Sequence, residues 1–163
     1  MRVLLVAAMA VAAGCATQPA ARAWVRPVSL APLPLPVAPG RELAAAEAEA
    51  ALDLRDFALV GSGGSREPLY RSGTAIVVRE VGFRSLAAGQ AVVYRHPRGY
   101  YVAHVLVAPV AGGWLAAGLA ATEPDAVKVT PANYVGVIRA AYAATQPTIP
   151  AQWDLEARTA GGR

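Results

Sequence analysis

The chain has 163 residues, of which 55% are hydrophobic, and it carries a formal charge of +4 from 15 basic and 11 acidic residues. That length fits one compact domain between a removable front end and irregular tails, and the apolar share is typical of an ordinary core and not of a membrane bundle. The basic residues are spread singly along the chain, which offers no focused basic patch to a phosphate backbone and excludes nucleic acid as the expected partner.

The first 14 residues predict a signal peptide. Arg2 precedes the apolar run Val3–Ala13, and these eleven residues fall short of the roughly 20 that a membrane-spanning helix needs. Gly14-Cys15 resembles a bacterial lipobox. Because Cys15 is the single cysteine, it has no partner for an intramolecular disulfide, and lipidation gives it a role. The alternative is an ordinary secretory leader with an incidental cysteine.

Residues 15–40 predict a tether between the lipidated cysteine and a folded domain. The segment contains six prolines, which fix φ and remove amide donors, so we expect an extended chain that spans up to roughly 75 Å. A lipid on Cys15 would place the domain in the bacterial cell envelope, facing the periplasm. No aspartate follows the cysteine, which favours the outer membrane.

Residues 41–144 predict one β domain with a leading helix. The alanine-rich run Arg41–Leu54, with Glu42 near its start, favours a helix. Short apolar runs between glycine- and proline-containing turns then predict an antiparallel, partly coiled sheet or barrel. These runs are Phe57–Val60, Ala75–Arg79, Ala91–Tyr94, Tyr100–Val107, Trp114–Ala117, Val127–Val129 and Tyr134–Ala141. The last run has a helical alternative at its end, and residues 145–163 predict a flexible tail.

Ser65 is the candidate nucleophile. It follows the glycine-rich stretch Gly61-Ser62-Gly63-Gly64, whose backbone amides are suited to an oxyanion hole formed near Gly63 and Ser65. A serine hydroxyl needs a base within hydrogen-bond distance to become a nucleophile. The alternative is a flexible connecting loop.

His104 is the candidate base because it lies on a predicted apolar strand, where an imidazole is held rigidly and kept partly dry. A histidine satisfied within the core is the alternative. The other histidine, His96, precedes a proline in a predicted hairpin tip, and we assign it no role. Two histidines and one cysteine offer no spacing of metal ligands, so we expect neither a metal nor another cofactor.

These stretches together resemble the signal peptidase I superfamily, which includes the self-cleaving SOS repressors. The matching residues are Ser65-Arg66-Glu67-Pro68, Arg71-Ser72-Gly73, and Leu86 to Arg95 with the order Gly-Gln-Ala-Val-Val-Tyr-Arg. The resemblance implies a signal-peptidase-like β fold and a serine nucleophile at Ser65. A histidine at the position of His104 is similar to the endoplasmic-reticulum and archaeal type, and the bacterial type has lysine there.

The resemblance is incomplete where the family has aspartates. Thr74, Gln90 and Leu119 stand at the three matching places, so an orienting acid for the imidazole has to come from elsewhere. Glu123 and Asp125 are the candidates, although a solvated turn would also explain them. The sequence therefore predicts a membrane-tethered serine endopeptidase that uses Ser65 and His104 on a peptide or protein substrate. The alternative is a non-catalytic envelope lipoprotein that binds peptides or partners.

Overall fold

A computed structural model of the chain describes residues 29–61 and 69–144. Over these residues the protein is mainly β, with one α-helix and a sheet of seven strands. In chain order the elements are β1 (Leu35–Pro36), α1 (Glu42–Ala50), β2 (Asp56–Val60), β3 (Ala75–Arg79), β4 (Ala91–Arg95), β5 (Tyr101–Val110), β6 (Gly113–Ala117) and β7 (Tyr134–Ala143).

The sheet is open, with the strand order β2-β3-β7-β4-β5-β6 and antiparallel pairing throughout this path. The prediction of a mainly β fold with a leading helix is therefore confirmed. Of the two forms that the sequence left open, the described residues form a sheet that does not close into a barrel. The alanine-rich end of β7 is a strand and not a helix, since it pairs with β3 along its whole C-terminal half.

One predicted strand is reduced to a single bridge. The run Val127–Val129 pairs with β6 only at Val129, which exchanges backbone hydrogen bonds of 2.8 and 2.9 Å with Trp114. Residues 118–128 are otherwise turns and irregular chain. The bridge holds the end of this segment against β6.

Helix α1 is shorter than the predicted run, which extended to Leu54. It ends at Ala50, after which the backbone N–H groups of Leu52 and Asp53 donate to carbonyls three residues back, a tighter turn that is common at the ends of helices. The buried side chains of Ala46 and Ala50 pack on Ala75 and Val77 of β3. Small residues on both surfaces allow the helix to lie close to the sheet.

The end of the predicted tether is docked on the domain. β1 pairs in parallel with Tyr142 and Ala143 of β7. It lies along the edge of β7 that is uncovered beyond Val137, where the pairing between β4 and β7 ends. The Leu30 N–H donates to the Gly89 carbonyl at 2.8 Å and the Tyr70 hydroxyl donates to the Pro32 carbonyl at 2.9 Å. Residues 29–37 therefore lie against the domain, and Leu35–Pro36 add a short strand to the sheet, although their prolines suggested a separate spacer. The predicted signal peptide, Cys15 and the tail 145–163 lie outside the described residues.

The two faces of the sheet are covered by separate apolar clusters. We call the cluster that includes Ile76, Val93 and Val105 the first cluster, and the cluster that includes Val92, Tyr94 and Leu106 the second cluster. On β4 and β5 neighbouring residues alternate between these two clusters, as the pleat of a strand requires. β5 is therefore covered on both faces around Val105–Val107.

We expect Gly136→Ala to lower the free energy of unfolding by about 2 kcal/mol, the typical effect of overpacking. A methyl group at Gly136 would lie 2.6 Å from Val78 Cγ1 and 2.7 Å from the Arg79 carbonyl oxygen, so β3 and β7 would have to separate. Urea denaturation of the full chain measures the change. Gly82→Ala is the control, because a methyl group there meets nothing within 4 Å. Equal midpoints for the two variants would contradict the prediction.

Candidate active site

His104 lies on β5 directly opposite Val92 of β4. Its side chain is 21% exposed, so the imidazole is neither sealed in the core nor fully solvated. The ring of Tyr94 meets it edge-on, with ring centroids 6.5 Å apart and planes at 67°. The prediction of a histidine held on a largely apolar strand agrees with this environment.

Asp125 provides the carboxylate that contacts the imidazole. The His104 Nδ1 atom lies 2.7 Å from Asp125 Oδ2, and the aspartate side chain is 19% exposed. The Asp125 backbone N–H donates to the Ala116 carbonyl at 2.7 Å, which fastens the residue to β6. Together with the Trp114–Val129 bridge, this bond folds the segment after β6 back towards β5.

The contact favours one tautomer of the neutral imidazole. An ionised Asp125 carboxylate only accepts hydrogen bonds, so it stabilises the tautomer in which Nδ1 of His104 carries the proton. In that tautomer Nε2 is the basic nitrogen of the ring. This is the arrangement that orients a histidine for general-base chemistry.

The Tyr94 hydroxyl donates to the same carboxylate oxygen, Asp125 Oδ2, at 2.8 Å. Burial, and then the neighbouring Asp125 carboxylate, raise the pKa of Tyr94 above its ordinary value. Tyr94 thus remains a protonated donor at neutral pH. Tyr94 is not among the site residues that were predicted from the sequence. The one signal for its hydroxyl is that the family which the chain resembles usually has phenylalanine at this position.

The structure separates the two candidate acids. Glu123 is exposed, and the carboxylate at the imidazole is that of Asp125. Leu119, at the place of the family's aspartate, is 5% exposed and belongs to the first cluster. The nucleophile candidate Ser65 and the oxyanion candidate Gly63 lie outside the described residues.

A groove with a volume of about 680 Å³ lies between the end of β2 and the start of β5. Its volume is that of a ligand site and not of a packing defect. Buried Ile76 and Val93 form part of its wall, and exposed Tyr100 and Tyr101 stand at its border. The remaining lining residues are Leu59, Val60, Gly61, Tyr70, Arg71, Thr74, Val102, Ala103 and His104.

The strands beside the groove provide backbone edges. β2 is the first strand of the sheet path, and β6 pairs with β5 only from Val105 onward. The segment Tyr101–Ala103 therefore continues beyond the pairing with β6. Edges of this kind bind extended peptides by adding a strand.

Comparisons with protein-family models, with curated proteins and with solved structures find no significant match. The likeness to signal peptidases thus rests on the motifs quoted above. Among the described residues, no cluster of three or more His, Cys, Asp or Glu side chains is arranged to hold a metal ion. The helices in the same part of the chain are too short or too polar to cross a membrane.

Proposed function

We propose that the chain is a serine endopeptidase in which Ser65 is the nucleophile, His104 the base and Asp125 the acid that orients the base. The observation that carries the proposal is the 2.7 Å contact between His104 Nδ1 and Asp125 Oδ2. An imidazole oriented by a carboxylate is the usual companion of an activated nucleophile.

The length of the chain around Ser65 supports its assignment. Ser65 is four residues from Gly61 and four from Leu69, which limits its Cα to about 14 Å from each of them. Gly61 lines the groove together with His104, and Leu69 packs against the first cluster. A serine in this loop is therefore within reach of the groove. Its hydroxyl meets the imidazole only where the loop passes the start of β5, because the His104 side chain, opposite Val92, lies on the second-cluster face of the sheet.

The proposed reaction begins when Ser65 Oγ bonds to the scissile carbonyl carbon and its proton passes to His104 Nε2. Backbone amides near Gly63 and Ser65 hold the oxyanion. The imidazolium then gives the proton to the leaving amine as the C–N bond breaks, which leaves an acyl ester on Ser65. Water, deprotonated by His104 Nε2, attacks the ester carbon. The imidazolium then returns the proton to Ser65 Oγ as the C–O bond breaks and the new carboxyl end is released.

The groove favours an extended peptide as substrate. Such a peptide would pair with backbone beside Tyr101–Ala103, and the apolar wall would take its side chains. The resemblance to signal peptidases implies small residues on either side of the cleaved bond. Arg66 follows the proposed nucleophile, where the family usually has methionine, and this charge would change the preference near the cut.

We further propose that a lipid on Cys15 tethers the enzyme to the bacterial envelope with the domain facing the periplasm, and we favour the outer membrane. Because residues 29–37 are docked on the sheet, only residues 15–28 remain as a spacer. These residues span at most about 45 Å. The enzyme would therefore act on substrates near the membrane surface.

A second candidate is a peptide-binding lipoprotein without catalysis. The apolar groove with its exposed tyrosines would bind a peptide whether or not Ser65 is activated. The absence of aspartates at the family's positions also fits this function. The two candidates differ in whether the serine reacts.

A fluorophosphonate probe tests the proposal, because it forms a bond from Ser Oγ to phosphorus with loss of fluoride only when the serine is activated. We expect the purified full chain to be labelled once, at Ser65, and Ser65→Ala to remain unlabelled. Ser62→Ala, in the same loop, is the control and keeps the label. A folded wild-type chain that stays unlabelled would contradict the endopeptidase and favour the binding protein.

A further inference from the structure

Tyr94 connects the apolar core to the carboxylate of the proposed site. Its side chain on β4 is 1% exposed, and only its hydroxyl has a polar contact, the 2.8 Å hydrogen bond to Asp125 Oδ2. The same oxygen accepts His104 Nδ1 at 2.7 Å. Two donors from two neighbouring strands therefore meet on one carboxylate oxygen.

The two sides of the Tyr94–Asp125 bond differ in rigidity. The tyrosine ring is packed among Leu86, Val92, Leu106 and Ala116 of the second cluster, and a close-packed core leaves a side chain little freedom. Asp125 lies in the irregular chain between β6 and β7. The backbone of Asp125 is held by Ala116, and the hydroxyl of the packed tyrosine is the group that orients its carboxylate.

We infer that Tyr94 is a positioning residue, which holds the Asp125 carboxylate so that Oδ2 faces His104 Nδ1. The inference rests on the proposed function, in which Asp125 orients the base. Tyr94 acts through Asp125 and does not contact the reacting atoms. The arrangement explains how this chain keeps an oriented histidine although Leu119 stands where the resembled family has its aspartate.

A buried hydroxyl that points at a carboxylate is not required for packing. Tyr134, the cross-strand neighbour of Tyr94 on β7, packs against the same cluster. Its hydroxyl has no side-chain hydrogen-bond partner among the described residues and lies near the backbone of Val81. The sheet therefore accepts a tyrosine whose hydroxyl does not meet a carboxylate. This makes Tyr134→Phe a matched control for Tyr94→Phe, since both changes remove one buried oxygen and keep the ring.

The experiment measures two quantities on the full chain. The first is the rate constant for labelling by the fluorophosphonate probe. The second is the proton NMR signal of the His104 Nδ1–H, assigned by its loss in His104→Gln. In Tyr94→Phe we expect labelling to slow about tenfold, the effect of one hydrogen bond to a charged group. The proton signal should broaden, because a carboxylate without its fixed partner protects the Nδ1–H less well from exchange.

A double-mutant cycle separates positioning from general loss of structure. Once Asp125 is replaced by alanine, Tyr94→Phe should cause no further slowing, because the hydroxyl acts only through that carboxylate. Tyr134→Phe should leave both the rate and the signal unchanged. An equal slowing by Tyr94→Phe in the presence and absence of Asp125 would overturn the inference.

The failure of the inference and that of the proposed function give different results. Labelling at Ser65 with an unchanged rate and an unchanged proton signal in Tyr94→Phe rejects the role of Tyr94 and leaves the endopeptidase intact. A folded wild-type chain that is not labelled rejects the endopeptidase. The proton signal alone then decides whether Tyr94 fixes the pair, and an unchanged signal rejects it.

Discussion

Replacing His104 or Asp125 by alanine should slow fluorophosphonate labelling of Ser65 by about a thousandfold, the usual loss when a base or its orienting acid is removed from such a site. His104→Ala removes the group that accepts the serine proton. Asp125→Ala leaves the imidazole in place but removes the bond at 2.7 Å that fixes its tautomer. The two variants and the double variant should label at similar rates, because the residues act as one unit.

The chain supplies a control for each of these variants. His96 is the other of its two histidines and stacks on Tyr100, a residue that lines the groove, with ring centroids 4.5 Å apart. Glu123 is an exposed acid two residues before Asp125. His96→Ala and Glu123→Ala should label within about twofold of the wild-type rate. Labelling of folded His104→Ala at the wild-type rate would show that the imidazole is not the base.

Asp56→Asn should lower the free energy of unfolding by about 3 kcal/mol, the cost of removing one partner from a buried ion pair. The Asp56 side chain is 0% exposed and joins three strands. Its two oxygens accept Arg79 Nε and Nη2 at 2.7 and 2.9 Å, and Oδ2 also accepts Arg139 Nε. Arg139 in turn contacts Glu49 of α1 at 2.7 Å. The variant would leave two arginines without their shared carboxylate.

The Asp56 carboxylate should also make the stability of the protein depend on pH. Hydrogen bonds from Arg79, and then from Arg139, hold the pKa of Asp56 below its ordinary value of 3.8, although burial acts in the opposite direction. A pKa that is lowered in the folded state stabilises the protein at pH values above the ordinary pKa of the group. This contribution is lost as the pH falls through the pKa of the folded state. Urea midpoints should therefore fall less steeply on acidification in Asp56→Asn than in the wild type.

Asp53→Asn is the matched control for the network. Asp53 lies at its border with 26% of its side chain exposed, and it contacts Arg55 and Arg79. An asparagine keeps the acceptor for the Arg55 backbone N–H, and water replaces the lost ion pair. The urea midpoint should change little. A loss in Asp53→Asn as large as in Asp56→Asn would contradict the assignment of Asp56 as the centre of the network.

The strands could be predicted from the sequence because their signals are local. Ala75–Arg79 is a run of apolar and β-branched residues bounded by turns, and its observed bounds are the predicted ones. Turns at Gly73 and Gly89 have φ of 88° and 89°, which glycine adopts without strain. The docking of Leu35–Pro36 could not be predicted in this way. It depends on the edge of β7 that β4 leaves uncovered, which is a property of the assembled sheet.

The candidate site likewise contains residues that could be predicted from the sequence and residues that could not. His104 could be chosen from its strand and from the shortage of other bases in the chain. Asp125 was one of two candidate acids, and nothing local distinguishes it from Glu123. The distinction arises from the Ala116 carbonyl and the Trp114–Val129 bridge, which bring one of the two acids to β5. The Tyr94 hydroxyl could not be identified at all, because its partner is 31 residues away.

The distance from Ser65 Oγ to His104 Nε2 tests most directly whether the two residues form a dyad. It can be measured in a crystal structure of the full chain after reaction with the fluorophosphonate. We expect phosphorus on Ser65 and an Oγ–Nε2 distance within about 4 Å, which allows for a loose hydrogen bond. A distance beyond about 8 Å, with the imidazole still bound to Asp125, would contradict it.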